Sequence, residues 1–185
     1  VLTQYAYVDS SNQVRVTFDA GMVRTEARNK AGLIVSISEA NAASGATATR
    51  VSRNYYDSTG RLRASEDAAG GRSYVFYDDA GHISATVDAT GAVTQSIYDN
   101  VGRLVQTVVY ATRVDTSGWL SGSVVTKSAL VFASTSPALI AAQAWVPTDA
   151  TRDMVTQKTY DAAGRVSTET VVGAYATQSL TTSYT

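Results

Sequence analysis

Any chemistry in this chain must come from carboxylates, arginines and one histidine, because cysteine is absent and His82 is the single histidine. Catalysis needs a nucleophile beside its base, a carboxylate pair in a cleft, or a metal cluster. The aspartates Asp57, Asp67, Asp78, Asp88, Asp99 and Asp161 are spread along the chain rather than grouped. Calcium bridging neighbouring segments is conceivable, but no compact Asp-rich loop with ligand spacing occurs. One histidine and no cysteine leave zinc almost without ligands. No P-loop or dinucleotide fingerprint follows any predicted strand. His82 stands in the slot held by Arg61, Arg103 and Arg165 in sister segments, so the repeat already accounts for it. Those arginines open strands, where pairing with a neighbouring Asp or Glu is expected ahead of phosphate binding. The reading is of a chain that is not an enzyme and needs neither cofactor nor metal.

The element that positions these residues is a repeat. Tyr56-Asp57-x-x-Gly60-Arg61-Leu62 recurs as Tyr77-Asp78-x-x-Gly81-His82-Ile83 and as Tyr98-Asp99-x-x-Gly102-Arg103-Leu104, so the step from Tyr56 to Tyr77 equals the step from Tyr77 to Tyr98. Half-copies without tyrosine lie between them, Asp67-Ala-Ala-Gly70 and Asp88-Ala-Thr-Gly91. A fixed period marks a repeat architecture, and a turn signal at every half-period leaves room for a strand and a turn. Asp-x-x-Gly is a turn with a mechanism. The carboxylate accepts the backbone N–H two residues on, and glycine takes the left-handed position that other residues resist. The hairpin it predicts is a type I turn with a G1 bulge.

Flanking residues alternate. Ile83, Ala85 and Val87 are expected on one face, opposite Ser84, Thr86 and Asp88; Val93, Gln95 and Ile97 oppose Thr94, Ser96 and Tyr98. The tyrosine before each turn faces away from the aliphatic residue preceding it. Stacked at the repeat period, the tyrosines are predicted to form a ladder of like rings serving packing rather than ligand binding.

The motif resembles the YD-repeat, or RHS, family. Copies at Tyr56, Tyr77 and Tyr98 carry the likeness, with a fourth at Tyr160-Asp161-Ala-Ala-Gly164-Arg165-Val166. Family members include shell-forming components of bacterial insecticidal toxin complexes, polymorphic bacterial toxins and the animal teneurins. The resemblance implies one long β-sheet spiralling into a hollow shell, enclosing a toxic domain in the bacterial cases, and a secreted or cell-surface location. The aspartate-rich self-cleavage segment of bacterial members has no counterpart here, so self-cleavage is not carried over.

Composition agrees with a β-protein: eleven tyrosines against three phenylalanines, with abundant Thr, Val and Ser. At 185 residues the chain is long enough for a sizeable core. A net charge of −1 gives no reason to expect nucleic acid or an anionic membrane as partner. No apolar run is long enough for a membrane span. Residues 1–50 read as degenerate copies, with Asn12 and Asn29 in place of Gly and Asp, an apolar strand from Leu33 to Ile37 buried on both faces or against a partner layer, and a loop from Glu39 to Ala48. Residues 51–113 are the regular array. The step from Tyr98 to Tyr160 falls one short of three whole periods, so residues 114–152 are read as an insertion. Within it, Ser136-Pro137 and Pro147 bracket a predicted short helix at 136–146. Trp119 and Trp145 both fall there, as a plug over exposed sheet or as a partner-facing surface. Residues 153–185 carry a further repeat and a terminal strand.

The expected fold is all-β: consecutive antiparallel hairpins of a curved sheet with one short helix. The chain reads as a piece of a longer one, presenting free sheet edges. Its expected role is a wall segment of a shell that encloses a polypeptide such as a toxin domain, with the rest of a larger YD-repeat chain as partner. The alternative is an extracellular module that binds a glycan or a cell-surface protein through exposed aromatics.

Overall fold

The computed structural model describes residues 2–8, 12–18, 21–41, 50–127, 149, 152–172 and 180–183. Its strands are β1 (Leu2–Val8), β2 (Gln13–Phe18), β3 (Met22–Arg28), β4 (Ile34–Asn41), β5 (Arg50–Tyr56), β6 (Leu62–Glu66), β7 (Arg72–Tyr77), β8 (Ile83–Val87), β9 (Val93–Tyr98), β10 (Leu104–Val109), β11 (Leu120–Ser121), β12 (Val124–Val125), β13 (Met154–Tyr160), β14 (Val166–Val172) and β15 (Leu180–Ser183). The fold is all-β and antiparallel, with no helix among the described residues. The short helix predicted at 136–146 is not borne out, and those residues, Trp145 among them, lie outside the described ones.

Two compact units form, Val1–Ser73 with Leu120–Val125, and Tyr74–Trp119 with Thr126–Thr185. In the first, β1 to β6 pair antiparallel in chain order, and β11 and β12 make a short hairpin. In the second, β7 to β10 pair in order, then β10 pairs directly with β13, followed by β14 and β15. The polar tail predicted to yield one more strand supplies β15, with β14 as the neighbour.

An odd period poses a parity problem. Side chains alternate with period two, so a repeat of odd length would turn its buried face outward in every next copy. One register shift per repeat removes the conflict. It falls beside each tyrosine, between Tyr55 and Tyr56, Phe76 and Tyr77, Leu104 and Gln106, and Thr159 and Tyr160. Across the Asp88 half-copy the register Val87↔Val93, Thr86↔Thr94 runs without a shift. The shift also corrects the predicted faces. Ala85 and Val87 are buried as expected, but Ile83 pairs with Tyr77 ahead of the shift and is 41% exposed. The predicted Leu33–Ile37 strand begins at Ile34, runs on to Asn41 and is half-buried rather than enclosed on both faces.

The core of the second unit is Tyr74, Phe76, Ala85, Val87, Val93, Val108, Tyr110 and Trp119. In the first, Ala64, Val14 and Val23 are buried, and the Glu66 carboxylate is held by Arg53 and Arg72 at 2.7 Å each. A carboxylate there is tolerable because both oxygens are paired.

Candidate functional site

The repeat motif builds a clamped turn. In the first full copy the Asp57 N–H donates to the Arg61 carbonyl and the Gly60 N–H to the Asp57 carbonyl. Asp57 Oδ1 accepts the N–H groups of Thr59 and Arg61, and Oδ2 accepts Arg61 Nε at 2.9 Å. The same pattern holds at Asp99, with Arg103 Nε at 2.7 Å, and at Asp161, with Arg165 Nε at 2.8 Å. At Asp78 the slot is filled by His82, whose Nδ1 lies 2.9 Å from Oδ2. Gly60, Gly81, Gly102 and Gly164 all sit in the left-handed region, φ 85°, 90°, 82° and 79°. Asparagine substitutes where it can. Asn29 Oδ1 accepts the N–H groups of Ala31 and Leu33, and Asn12 takes φ 53° in the glycine position.

These bonds act on the ionised carboxylates. The Arg103 backbone N–H, partly opposed by burial and reinforced by the Arg103 side chain, holds Asp99 below its ordinary value. The same backbone and side-chain pair from Arg165 lowers Asp161, and the His82 ring lowers Asp78. For Asp57 burial is the largest influence and pushes upward, but the bonds from Thr59 and Arg61 outweigh it and the carboxyl ends well below the usual range.

The tyrosines do not stack ring on ring. Tyr56, Tyr98 and Tyr160 each reach into the preceding copy. Tyr56 Oη donates to the Ile34 carbonyl at 2.9 Å, Tyr98 Oη to Ile83 at 3.1 Å, and Tyr160 Oη to Leu104 at 2.7 Å. The acceptor is in every case the residue two beyond the preceding glycine. The basic residue of one copy then covers the tyrosine of the next. The His82 ring stacks on Tyr98 with centroids 4.6 Å apart and planes at 24°, and the Arg103 guanidinium lies 4.7 Å above the Tyr160 ring. The predicted ladder of like rings is thus an alternating column of base and tyrosine. Tyr77 pairs with Ile83 across its own hairpin.

Trp119 is 2% exposed and meets Tyr74 and Phe76 edge-on, centroids 5.3 and 6.0 Å apart. Trp119 is thus packed on the rings of β7. Its segment crosses the Asp88 turn, where the Val114 N–H donates to the Gly91 carbonyl. Two polar residues of this region escaped the sequence reading. Tyr110 Oη donates to buried Gln95 at 2.7 Å, and burial, then the Asp153 charge, push its hydroxyl up to about 12. Asp153, buried, accepts the N–H groups of Ala111 at 2.9 Å and Asp149 at 2.7 Å, so one carboxylate gathers both ends of the excursion. An acidic residue just ahead of a resuming strand was the only signal. Among the described residues no group of three potential ligands could hold a metal ion. No helix among them is long and apolar enough to cross a membrane.

Within each unit, hairpins whose tyrosine is tied to the copy before it define a β-hairpin repeat array. Residues 77–115, which hold the Tyr77 and Tyr98 copies, match the family model for the RHS Repeat. No curated protein matches the chain. Among solved structures it is similar to TcdB2-TccC3-Cdc42, at 10% identity and a TM-score of 0.36 over 99% of this chain and 7% of that one. It is also similar to a TccC3 mutant of the Photorhabdus luminescens Tc holotoxin pore, at 13% identity and a TM-score of 0.33 over 91% of this chain and 12% of that one. The TcdB2-TccC3-TEV structure matches at 17% identity and 0.33, over 98% and 11%. The chain therefore spans a small fraction of each.

Proposed function

We propose that this chain is a structural, non-catalytic wall segment of an RHS-type β-shell that encloses a polypeptide cargo, such as a toxin domain, in a secreted or cell-surface protein. The observation that carries the reading is the column of ties. The hydroxyls of Tyr56, Tyr98 and Tyr160 are spent on the backbone of the preceding copy, and His82 and Arg103 on the next tyrosine, so these motif residues serve propagation of the array. Clamped aspartates are likewise committed, which removes them as free acids or bases. The partner on this reading is the rest of a larger repeat chain. Electron cryomicroscopy of the full-length protein that contains this segment tests it. A hollow wall with separate polypeptide density inside supports the reading; an array with no enclosed volume contradicts it.

The alternative, a recognition module that binds glycan through exposed aromatics, loses one of its two tryptophans to the core, since Trp119 is buried. Glycan-array binding abolished by Trp145→Ala would revive it.

A further inference from the structure

In each unit the connections between strands fall into two classes, one at each end of the strands, because successive connections of a meander alternate ends. At the clamped end of the first unit the strands break from Val8 to Gln13, Arg28 to Ile34 and Tyr56 to Leu62; in the second they break from Tyr77 to Ile83, Tyr98 to Leu104 and Tyr160 to Val166. All but the first, which is one residue shorter, have the same length. At the opposite end the breaks run from Phe18 to Met22, Asn41 to Arg50 and Glu66 to Arg72 within residues 1–73, and from Val87 to Val93, Val109 to Met154 and Val172 to Leu180 in the second unit. Their lengths differ widely, from the tight link between Phe18 and Met22 to the whole stretch between Val109 and Met154.

The geometry accounts for the difference. At the clamped end length is fixed three times over. The aspartate N–H closes on the carbonyl four residues on, the carboxylate binds two N–H groups of the same turn, and the tyrosine is anchored to the preceding copy. The first two ties also close the Asp67 and Asp88 turns at the opposite end, where Glu66 and Val87 stand in the place of the tyrosine; only at the clamped end does an added residue displace an anchor to another copy as well. At the opposite end a long connection needs only to be closed at its base. Asp153 does this for the longest one, and Tyr160 still meets Leu104 beyond it.

We infer that the end of the hairpins opposite the clamped turns is an attachment edge, where inserted segments of the chain itself are carried without disturbing the array. The turn Asp67–Gly71 is a free position of that kind: a side chain at Gly70 would meet nothing within 4 Å. The Asp88 turn is a used one, since a Cβ on Gly91 would fall 2.3 Å from the Val114 oxygen. The inference is independent of whether the array encloses a cargo.

The test places one flexible Gly/Ser segment of about 20 residues at either end of the same strand in the full chain. Between Ala68 and Ala69 it should lower the melting temperature by about 3–6 °C for loop closure, and further by the loss of the Asp67 turn bonds. Between Ser58 and Thr59 it should cost more, because the Asp57–Arg61 pair and the Tyr56 anchor are lost besides. Between Ala89 and Thr90 it should also be costly, because Val114 already sits there. Equal losses at Ser58–Thr59 and Ala68–Ala69, a larger loss at Ala68–Ala69, or failure of the Ala68–Ala69 chain to fold would each overturn the inference.

Discussion

Tyr160 donates its hydroxyl to the carbonyl of Leu104 at 2.7 Å, across 56 positions of sequence. The contact repeats what Tyr98 does to Ile83, fifteen positions away. The excursion between β10 and β13 thus interrupts the sequence period without interrupting the column. Trimming residues 128–148 to a short Gly/Ser linker should leave one cooperative unfolding transition. Separate melting of the β13–β15 hairpins, seen by hydrogen exchange, would show that the column is not continuous.

Asp99→Asn should be milder than Asp99→Ala. Asparagine keeps an oxygen for the N–H groups of Val101 and Arg103, as Asn29 does in its own turn, and loses only the pair with Arg103. Alanine loses all of them, so its loss in urea midpoint should be roughly threefold that of asparagine. Comparable losses would mean that the ion pair, not the turn bonds, sets the clamp.

Gly91→Ala and Gly70→Ala differ in surroundings but not in backbone, with φ 83° and 85°. Gly70→Ala should cost about 1–2 kcal/mol for the left-handed conformation alone. Gly91→Ala adds a collision with the Val114 backbone and should cost several kcal/mol or displace the Trp119 segment. Denaturant titration of both variants decides it.

Trp119→Ala should cost about 3–5 kcal/mol, the range for removing a large buried aromatic. In a Trp145→Phe background the remaining tryptophan should emit to the blue and resist acrylamide. Ready quenching would place Trp119 in solvent.

The pH profile has a predicted sign at both limits. Asp78, Asp99 and Asp161 have folded values below their unfolded ones, so their contribution is present above the ordinary carboxylate range of about 3.9 and is lost as pH falls through the folded values. Tyr110 is shifted the other way, up to about 12, so its contribution is present below its unfolded value near 10 and lost as pH rises toward 12. Asp99→Asn should flatten the acid limb of a melting-temperature profile; Tyr110→Phe should flatten the alkaline one.

The turns were legible because their causes are local. An aspartate reaches N–H groups two and four residues on whatever surrounds it, and the glycine requirement is set by φ alone; hence Asn12 and Asn29 were also readable as substitutes. The odd period contained the bulge, since strict alternation and a repeat of odd length cannot both hold in an unshifted register. What the tyrosines touch was not legible. A hydroxyl that meets a carbonyl in another hairpin depends on register across strands, which composition does not fix. The same is true of Trp119 on Tyr74 and of Asp153 on Ala111, contacts made by irregular segments with no period to constrain them.

The account rests on the tyrosine hydroxyl as the tie between copies, and Tyr→Phe substitution removes that atom and little else. Tyr56→Phe, Tyr98→Phe and Tyr160→Phe should each lower the unfolding free energy by about 0.5–1.5 kcal/mol, measured by urea titration, while Tyr7→Phe, whose exposed hydroxyl bonds to Asn12 of its own turn, stays near zero. Three phenylalanine variants as stable as the parent chain would contradict it.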